Sequence, residues 1–437
     1  MEVSRRKFLG SSAAAVVVAG TMAKGKVFGA NDRIAVATMG IHGQGGSHLK
    51  QFLGQEDAQV VALCDVDSRV LEGRVKQAAE AQGGAAPKGY VDIRDMVADD
   101  AIDAISIATP NHWHTLGAVW ACQAGKHVYV EKPLSHSVWE GRQLVAAAQK
   151  YNRVVQHGTQ SRSNPNIMRD MKLMHEGFIG DIVMSRGVVY KNGNRYAIGH
   201  GQPAAPPEYL EWNLWQGPAE ESDYLAKEDG GGLFVHYNWH WFWRYGNGEI
   251  GNQGVHEMDL ACWAINKGLP VKVYSSGGRY AWDDDAETPN TQSSTFTYAD
   301  GTMLEFEVRN LGSFAEADAG SCTNSAFGTK GYWVRGKGFF TYKNEPIKVD
   351  EPEPESAGHI GNFLKAIRSG KPEDNQAPAE AGHIACAHIH LANTAYRLGQ
   401  SLEFDPEKQR FVGEGHRKAN KMLKRRYREP FSVPEIA

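Results

Sequence analysis

The sequence predicts an α/β protein, in which an N-terminal, doubly wound parallel sheet is followed by an α+β domain with a largely antiparallel, open sheet. Between residues 33 and 156, short apolar runs alternate with helix-compatible stretches, as buried parallel strands and their crossover helices do. After Gly158 the pattern changes to strand-like runs joined by turn signals, which is typical of an antiparallel sheet. At 437 residues the chain is long enough for two domains, which we place at 32–158 and 159–437.

In the first domain, the run RIAVATM at 33–39 is rich in small and β-branched residues, as a buried strand should be. A Gly-rich turn and a helix-compatible stretch follow it. We predict further strands at 59–64, 101–108, 127–130 and 153–156, and helices at 70–81, 115–124 and 138–150.

In the second domain, Ala299-Asp300-Gly301 is a hairpin signal between two strand-like runs. We predict strands at 182–190, 271–276, 292–298 and 302–308, a further pair around 331–342, and helices at 252–266, 359–369 and 380–398. The acidic stretch 351–355 is interpreted as a linker. The basic cluster 417–428 is interpreted as a solvated or interface-lining tail rather than a nucleic-acid patch, because the remainder of the chain is acidic.

A serine-led twin-arginine stretch, Ser4-Arg5-Arg6-Lys7-Phe8-Leu9, opens the chain and is followed by an apolar run at 13–19. That run is too short to cross a bilayer, and small residues near Ala23 and Ala30 would permit processing. Residues 1–31 therefore read as a twin-arginine (Tat) signal peptide and spacer, which predicts export to the periplasm by the Tat machinery. The alternative is a disordered basic N-terminus.

Composition narrows the classes of function. A net charge of −4 gives no overall attraction to nucleic acid or to an anionic membrane. No later segment has the eighteen or more apolar residues of a transmembrane helix. The five cysteines are scattered, odd in number and without a CxxC pair, so we expect buried free thiols and no metal site.

The turn after the first strand reads Gly40-Ile41-His42-Gly43-Gln44-Gly45-Gly46. Glycines there let the backbone approach a pyrophosphate, and the next helix offers free N–H groups to it. The usual fingerprint has glycine where His42 stands. Asp65 lies 20 residues past Gly45, at the end of the second strand, where a carboxylate binds the ribose hydroxyls of NAD and repels the extra phosphate of NADP. NAD is therefore favoured over NADP, although a cation at Arg69 would soften this preference. The alternative is that Asp65 only caps the next helix.

Two motifs after later strands are more specific. Ala108-Thr109-Pro110-Asn111-His112-Trp113-His114 follows one strand and Glu131-Lys132-Pro133 follows the next. Together they resemble the Gfo/Idh/MocA oxidoreductases, as does the C-terminal run at 390–399. That resemblance implies a Rossmann domain joined to an open-sheet α+β domain, and a reaction in which sugars, cyclitols or their derivatives are oxidised or reduced with NAD or NADP.

Because strand ends face the ligand crevice of such a sheet, Asn111, His114, Glu131 and Lys132 should line it. Gln160 and Arg162 follow the first domain and would reach the junction of cofactor and substrate. The predicted cofactor-binding residues are Gly40, His42, Gly43, Gln44, Gly45, Asp65, Thr109, Asn111, His114, Glu131, Lys132 and Gln160. The resemblance places Lys132 near the nicotinamide, where a cation favours a developing alkoxide, so Lys132 is also a catalytic candidate.

The second catalytic candidate is His256, in the run 251–259. On a helix, Asn252, His256 and Asp259 would share one face. The resemblance implies Asp-x-Gly-x-His here, with the histidine as acid/base on the substrate hydroxyl. This chain has Asn252 in place of the aspartate, and an amide stabilises an imidazolium less well. Asp259 and Glu249 are the candidates to compensate for it. The alternative for His256 is a histidine of the core.

Upstream lies an aromatic stretch, 234–245, that is suited to stacking on sugar rings. If it is extended, alternate side chains would face the core and the pocket. We therefore predict His236, His240, Arg244 and Tyr245, with Asn252, as substrate contacts. An aromatic core segment is the alternative, and the histidine spacing resembles no common zinc motif.

The leading interpretation is an exported NAD(P)-dependent oxidoreductase that acts on a hydroxyl of a sugar, glycoside or cyclitol, with tightly bound cofactor. One alternative is an NAD-dependent glycosidase or lyase that works by transient ring oxidation and elimination. A second is a non-catalytic sugar-binding protein. We expect a homo-oligomer, a dimer or tetramer, paired through the open sheet face.

Overall fold

The structure is a computed structural model that describes residues 32–191, 197–311 and 321–436. The predicted signal segment, 1–31, lies outside the described residues. Within them, no helix has both the length and the apolar character needed to cross a bilayer.

The first domain contains a parallel sheet flanked by helices. Its strands are β1 (Ile34–Met39), β2 (Ala58–Cys64), β3 (Lys88–Tyr90), β4 (Ala104–Ile107), β5 (His127–Val130) and β6 (Val155–His157). Its helices are α1 (Gln44–Leu53), α2 (Ser68–Ala81), α3 (Ile93–Val97), α4 (Asn111–Gln123) and α5 (Val138–Lys150). The strand order is β3-β2-β1-β4-β5-β6, with every pair parallel, as a doubly wound sheet requires. The sequence prediction did not include β3 and α3.

Local chemistry explains where these elements begin. Every residue of β4 is buried, because helices cover both faces of the sheet. The Asp67 side chain accepts hydrogen bonds from the backbone N–H groups of Arg69 and Val70, and so caps α2. Ser137 caps α5 in the same way, through the N–H of Glu140.

The second domain contains a ten-stranded mixed sheet in the order β16-β15-β14-β13-β7-β12-β11-β10-β17-β18. These strands are β7 (Ile182–Tyr190), β10 (Lys272–Gly278), β11 (Thr291–Thr297), β12 (Met303–Arg309), β13 (Cys322–Gly328), β14 (Tyr332–Val334), β15 (Gly338–Phe340), β16 (Pro346–Ile347), β17 (Leu402–Asp405) and β18 (Arg410–Val412). Only the β7–β12 pair is parallel within this described sheet. This confirms the predicted fold class, including the β11–β12 hairpin, whose turn residue Gly301 has a φ of +87°.

Seven helices are described after β6, of which Gly254–Ile265 and Ala379–Leu398 pack on this sheet. They are α6 (Pro165–His175), α7 (Trp212–Gln216), α8 (Gly248–Gly251), α9 (Gly254–Ile265), α10 (Gly358–Ser369), α11 (Ala379–Leu398) and α12 (His416–Lys421). Short 3-10 turns cover Gln160–Ser163, Asn238–Trp241 and Pro372–Asp374. The core between α9, α11 and the sheet includes Val255, Met258, Phe296 and Leu391.

Residues 197–247, which we call the aromatic lobe, lie between β7 and α8. The lobe includes the two-stranded sheet of β8 (Gln202–Ala204) and β9 (Tyr224–Ala226) and its own core of tryptophan, tyrosine and phenylalanine side chains. It is tied to the first domain by backbone hydrogen bonds from Glu211 to Val66 (3.0 Å) and from Ser68 to Tyr209 (2.9 Å). The lobe therefore covers the carboxyl end of β2.

The basic cluster 417–428 is solvated along most of its length, as predicted, and docks on the first domain at Arg425. Arg425 Nε donates to Glu140 Oε1 at 2.6 Å, and Phe431 and Val433 are buried in the core of the first domain. Other basic side chains of the cluster, such as Arg417 and Lys421, are exposed. The apolar residues that follow the cluster explain the docking, since they bury surface that helices α4 and α5 would otherwise expose.

Candidate functional site

A cavity of about 820 Å³ opens where the carboxyl ends of the first sheet meet the aromatic lobe and the start of α9. The predicted site residues that line it are Gly40, His42, Gly43, Gln44, Asp65, Thr109, Asn111, His114, Glu131, Lys132, Gln160, His236, His240, Asn252 and His256. Gly45, Arg244 and Tyr245 do not line it. The structure thus brings together side chains that are far apart in the sequence, at a position where open α/β sheets bind ligands.

The glycine-rich turn forms one wall of the cavity. Gly40 has a φ of +73°, and a methyl group built on it would lie 2.8 Å from the backbone nitrogen of Thr109. A methyl group on Gly45 would lie 1.8 Å from the carbonyl oxygen of Gly40, so Gly45 serves the packing of α1 on β1. Nothing described lies within 4 Å of such a group on Gly43, where α1 begins with no side-chain cap. The backbone there is open to an anionic ligand.

Asp65 lies at the end of β2 and faces this turn. Its Oδ2 accepts a hydrogen bond from the Ile41 N–H at 2.8 Å, and its Oδ1 accepts one from the Asp67 N–H at 3.0 Å. Burial raises the pKa of Asp65, and these two backbone donors oppose that shift. Each carboxylate oxygen has a second lone pair, so Asp65 retains acceptors for ribose hydroxyls.

Two histidines meet above the turn. The His42 and His236 rings are stacked, with centroids 4.4 Å apart and planes 10° from parallel. His236 Nε2 also lies 3.3 Å from Asp67 Oδ2. Burial lowers the pKa of His236, the neighbouring His42 lowers it further, and Asp67 opposes the shift. His236, predicted as a substrate contact, thus lies at the dinucleotide turn.

Two polar groups that follow β4 indicate whether a dinucleotide fits this cavity. The Thr109 hydroxyl oxygen and the Asn111 side-chain nitrogen are buried in this wall, and neither has a hydrogen-bond partner in the described structure. A buried polar group without a partner costs about 1–3 kcal/mol, so such groups are usually satisfied by a ligand or by water. Together with the open turn at Gly43 and the Asp65 carboxylate, these orphaned groups suit a bound nicotinamide dinucleotide.

His114 lines the cavity, but both of its ring nitrogens contact backbone carbonyl oxygens of the protein. Its Nδ1 lies 2.6 Å from the Pro133 carbonyl oxygen and its Nε2 lies 2.7 Å from the Thr109 carbonyl oxygen. Burial lowers the pKa of His114, which favours the neutral ring with a single N–H donor. His114 therefore links the loops that follow β4 and β5.

Glu131 is buried at the centre of a hydrogen-bond network. Its Oε1 accepts from His48 Nε2 (3.0 Å), Gln44 Nε2 (3.1 Å) and Gln160 Nε2 (3.2 Å). Burial alone would raise the pKa of Glu131, but contact with His48 and the nearby Lys132 hold that pKa well below its ordinary value. The residue therefore stays an anion beside Lys132. The sequence prediction missed His48, although its place one helical turn after Gln44 was a usable signal.

Lys132 connects the first domain to the second. Its Nζ donates to the backbone oxygen of Asn252 at 3.1 Å and to Asn252 Oδ1 at 3.3 Å. The Asn252 Nδ2 in turn donates to Glu249 Oε2 at 2.9 Å and to the Tyr237 hydroxyl at 3.3 Å. Burial lowers the pKa of Lys132, while Glu131 and Glu249 oppose that shift.

His256 lies on the first turn of α9 and lines the same cavity. No described side chain hydrogen-bonds to its ring, so both ring nitrogens are available to a ligand. Burial, reinforced by the charge of Lys132, lowers the pKa of His256 to about 3. The ring is therefore neutral at ordinary pH and has a lone pair that can accept a proton.

Two predicted neighbours of this site, Arg162 and Asp259, lie outside the cavity, and Asn252 lines it from a different element than expected. Asp259 is buried and held by Arg162, whose Nε lies 2.8 Å from Asp259 Oδ2, so neither residue reaches the cavity. Asn252 lies between α8 and α9 rather than on the face of one helix with His256. The expected compensation by Asp259 is wrong, and Glu249 is the carboxylate that contacts Asn252.

The aromatic stretch 234–245 contains a 3-10 turn at Asn238–Trp241 and no strand, so the alternation that an extended stretch would give does not apply. Tyr245 is buried in the lobe core, with its hydroxyl 2.6 Å from the Ser222 hydroxyl. Arg244 is directed to the surface, where it donates to the Glu221 carbonyl oxygen at 3.4 Å. His240 lines the cavity, stacked on Trp239 at 3.6 Å.

Several cavity residues were not predicted. They are aromatic or polar side chains of the lobe, of α4 and of the turn before α9: Trp113, Trp215, Tyr237, Trp239 and Gln253. The aromatic stretch 234–245 was interpreted as a pocket or a core, and in the structure its residues contribute to both. Among the described residues there is no group of three side chains placed to hold a metal ion.

Comparison with known families matches both domains. A family model described as "Oxidoreductase family, NAD-binding Rossmann fold" matches residues 33–159. A second one, "Oxidoreductase family, C-terminal alpha/beta domain", matches residues 182–433. The two matches together cover most of the chain.

Curated relatives match in part. Two proteins called glycosyl hydrolase family 109 protein are 29% identical over 210 residues, in Shewanella pealeana, and 30% identical over 167 residues, in Saccharopolyspora erythraea. These matches cover 42% and 37% of this chain and 45% and 36% of the relatives. The chain thus spans less than half the length of the curated relatives it matches.

Solved structures share the fold over most of the chain. The WlbA dehydrogenase of Chromobacterium violaceum, solved with NADH and UDP-GlcNAcA, has a TM-score of 0.65 at 19% identity, covering 87% of this chain and 98% of its own. The scyllo-inositol dehydrogenase of Lactobacillus casei has a TM-score of 0.57 at 18% identity, covering 85% and 98%. At this identity the likeness concerns the fold alone.

Proposed function

Because the chain belongs to the Gfo/Idh/MocA family of oxidoreductases, we propose that it oxidises a hydroxyl group of a sugar, glycoside or cyclitol with a tightly held NAD cofactor. The observation that carries the proposal is the meeting of Lys132 and His256 in the cavity that also contains the dinucleotide turn. One residue is a half-buried cation, and the other is a half-buried, neutral imidazole whose ring has no hydrogen-bond partner among the described residues. That pair suits the removal of a proton from an alcohol.

The residues divide the work by their charge. His256 accepts the hydroxyl proton, since its neutral ring has a free lone pair toward the cavity. Lys132 stabilises the negative charge that develops on the substrate oxygen, because its half-buried ammonium group is held at the cavity wall by Asn252. A bound nicotinamide supplies the hydride acceptor. The neighbouring Glu131 carboxylate balances the positive charge of Lys132.

The preference for NAD rests on Asp65 and on the position of Arg69. Arg69 would soften the preference if it were free to bind a phosphate. Its Nη2 instead lies 3.1 Å from Asp67 Oδ2, and its guanidinium carbon lies 3.2 Å from the centre of the Tyr209 ring. With Arg69 held by Asp67 and Tyr209, the Asp65 carboxylate favours the ribose hydroxyls of NAD over a 2′-phosphate.

A second candidate is redox-neutral cleavage of a glycoside. It is favoured by the curated relatives, whose name is that of a glycosyl hydrolase family. In that cycle a ring hydroxyl is oxidised, the acidified neighbouring C–H is deprotonated, the glycosidic group leaves, water adds and the ketone is reduced again. His256 and Lys132 would serve the first and the last step in the same way as in a dehydrogenase. The two candidates differ in whether reduced cofactor accumulates.

Export and assembly belong to the same proposal. A Tat signal at residues 1–31 would carry the folded protein, with its cofactor, to the periplasm. There free NAD is expected to be scarce, so a retained and locally recycled cofactor is advantageous. We also propose a homodimer or homotetramer, paired through the open face of the ten-stranded sheet.

Mass spectrometry of the small molecules released on denaturation of protein purified without added cofactor tests the proposal. Near-stoichiometric NAD is the expected result. Incubation with sugars and aryl glycosides then separates the candidates, because a dehydrogenase accumulates NADH unless an acceptor is supplied, whereas the redox-neutral enzyme releases the aglycone without net NADH. A protein that is empty and does not bind added NAD would contradict both enzymatic candidates.

A further inference from the structure

Glu249 is a buried carboxylate that the mechanism above does not use. Only 1% of its surface is exposed, and it lies on α8, outside the set of residues that line the cavity. Its Oε2 accepts a hydrogen bond from Asn252 Nδ2 at 2.9 Å. A charged side chain is seldom buried this completely without a purpose in the local network.

The contact decides which way the Asn252 amide points. A side-chain amide has a donor end and an acceptor end, and the network assigns them. Because the donor end faces the Glu249 carboxylate, the acceptor end, Oδ1, faces Lys132 Nζ at 3.3 Å. In the opposite orientation the amide nitrogen would face the ammonium group and its oxygen would face the carboxylate. Both contacts would then be repulsive.

We propose that Glu249 is a positioning residue that, through Asn252, orients and charges the Lys132 ammonium group. The two side chains together take the place of a single carboxylate next to the lysine: Asn252 makes the contact and Glu249 supplies the negative charge behind it. This inference rests on the proposed function for its consequence in catalysis. The arrangement itself is a property of the free protein and can be measured without substrate.

The other groups around Lys132 must be counted as well. The charged side chains that act on it are Glu131, Glu249, Lys191 and Glu257, and His256 lies in the same cavity. Glu131 is the strongest of these and hydrogen-bonds through Oε2 to the Lys132 backbone N–H at 3.1 Å. Glu249 ranks second among the groups that favour the charged amine.

The test exchanges the amide and the carboxylate. Competitive labelling with acetic anhydride across a pH series, read by mass spectrometry of the Lys132 peptide against the exposed Lys337, reports the titration of Lys132. Glu249→Gln should lower the midpoint of Lys132 labelling by about one pH unit, a tenfold change in its protonation equilibrium. Asn252→Asp alone places two carboxylates in contact, and they should share a proton. The double exchange, Glu249→Gln with Asn252→Asp, should return the midpoint to that of the parent protein or above it.

Glu257→Gln is the matched control. Glu257 is also buried near Lys132, but it accepts hydrogen bonds from Gln253, at 3.2 Å, and from Arg335, at 3.4 Å, rather than from Asn252. Its substitution should shift the Lys132 midpoint less than Glu249→Gln does. If Glu249→Gln is poorly folded, as judged by its melting temperature, Glu249→Asp retains the charge at a shorter reach and should give a smaller shift than the loss of charge.

An unchanged midpoint in Glu249→Gln, or a double exchange that fails to restore it, would overturn the inference. Because labelling needs neither substrate nor turnover, a normal labelling pattern in a protein that binds no NAD would contradict the proposed function and leave this arrangement standing. A disturbed pattern in an active, NAD-loaded protein would do the reverse.

Discussion

At the scale of single residues, the chemistry depends on His256 remaining neutral and unpaired. Burial and the nearby Lys132 lower the pKa of His256 to about 3, so the ring is unprotonated at neutral pH and can accept a proton. The same surroundings would make a protonated ring costly. We therefore expect the proton to leave His256 again after each turnover, toward solvent in the cavity or toward the reduced product.

Substitution of His256 separates catalysis from binding. His256→Asn removes the proton acceptor and preserves a polar side chain of similar size, so hydride transfer to bound NAD should slow by about 10²- to 10⁴-fold. Cofactor content and melting temperature should stay near those of the parent protein. The measurement is single-turnover NADH absorbance with a substrate found in the screen described above.

His175→Gln is the control for this substitution. His175 lies at the exposed end of α6 and hydrogen-bonds to the Trp263 carbonyl oxygen at 2.7 Å, away from the cavity. It should leave the rate unchanged. Equal rates for His256→Asn and the parent protein would show that His256 is a wall residue and would remove the proposed base.

Residue roles were predictable where a motif ties them to a strand end. Gly40, Asp65 and Lys132 lie in the cavity wall because they follow β1, β2 and β5, and strand ends converge whatever the rest of the chain does. Tyr245 was assigned to the pocket and lies in the core. Nothing in an aromatic side chain says which of its neighbours will cover it, because tertiary packing makes that choice.

At the scale of elements, the aromatic lobe closes the dinucleotide turn of a different domain. His236 from the lobe stacks on His42 from the turn and also lies 3.3 Å from Asp67, the cap of α2. Backbone hydrogen bonds between the lobe and the end of β2 hold the two parts together. A dinucleotide that entered the turn would leave only after this contact opened. His42, which departs from the glycine of the usual fingerprint, is thereby accounted for as a stacking partner.

This contact predicts how fast the cofactor exchanges. His236→Ala removes the stacked ring and the contact to Asp67, which should accelerate release of bound NAD by about tenfold, the equivalent of 1.4 kcal/mol. Displacement of bound NAD by an excess of isotopically labelled NAD, followed by mass spectrometry, gives the rate. The secondary structure of the lobe should be retained, since its core lies elsewhere.

His200→Ala is the matched control in the same lobe. His200 is exposed, and its Nδ1 lies 2.7 Å from Asp285 Oδ1, with no contact to the glycine turn. Its substitution should not change the exchange rate. If both variants released NAD at the rate of the parent protein, the lobe would have no part in cofactor retention.

The elements themselves show what the sequence pattern can and cannot reveal. The strands of the parallel sheet and the β11–β12 hairpin were predicted because buried apolar runs and a tight turn have local signatures. The extended conformation was only one possibility for the stretch 234–245, and the structure has a 3-10 turn at Asn238–Trp241. A continuous aromatic run has neither a twofold nor a 3.6-fold period, so only the packing of the lobe fixes its conformation.

At the scale of the whole molecule, buried histidines couple stability to pH. Burial lowers the pKa of His112 and His390 to about 3, and that of His359, His383 and His388 to about 4. These values lie below the 6.5 expected in the unfolded chain. Below about pH 6.5 the unfolded state therefore binds more protons than the folded state, and the stability these neutral rings allow is lost as the pH falls toward 4 or 3.

The buried histidines should make the protein markedly less stable in mild acid. At pH 5 each such ring costs at most about 2 kcal/mol relative to pH 7, and several together approach the total stability of a typical domain. Urea unfolding at pH 7.5, 6.5, 5.5 and 5.0, read by tryptophan fluorescence, should show a free energy of unfolding that is flat above neutrality and falls steeply below pH 6.5.

His388→Gln should reduce the slope at pH 5.5 by about one proton, because that ring is enclosed by the Tyr298 hydroxyl and the Ile384 carbonyl and titrates only when the chain unfolds. The exposed His416 serves as control, and His416→Gln should leave the slope as it was. A stability that is constant down to pH 5 would mean that these rings take up protons in the folded state as readily as in the unfolded chain.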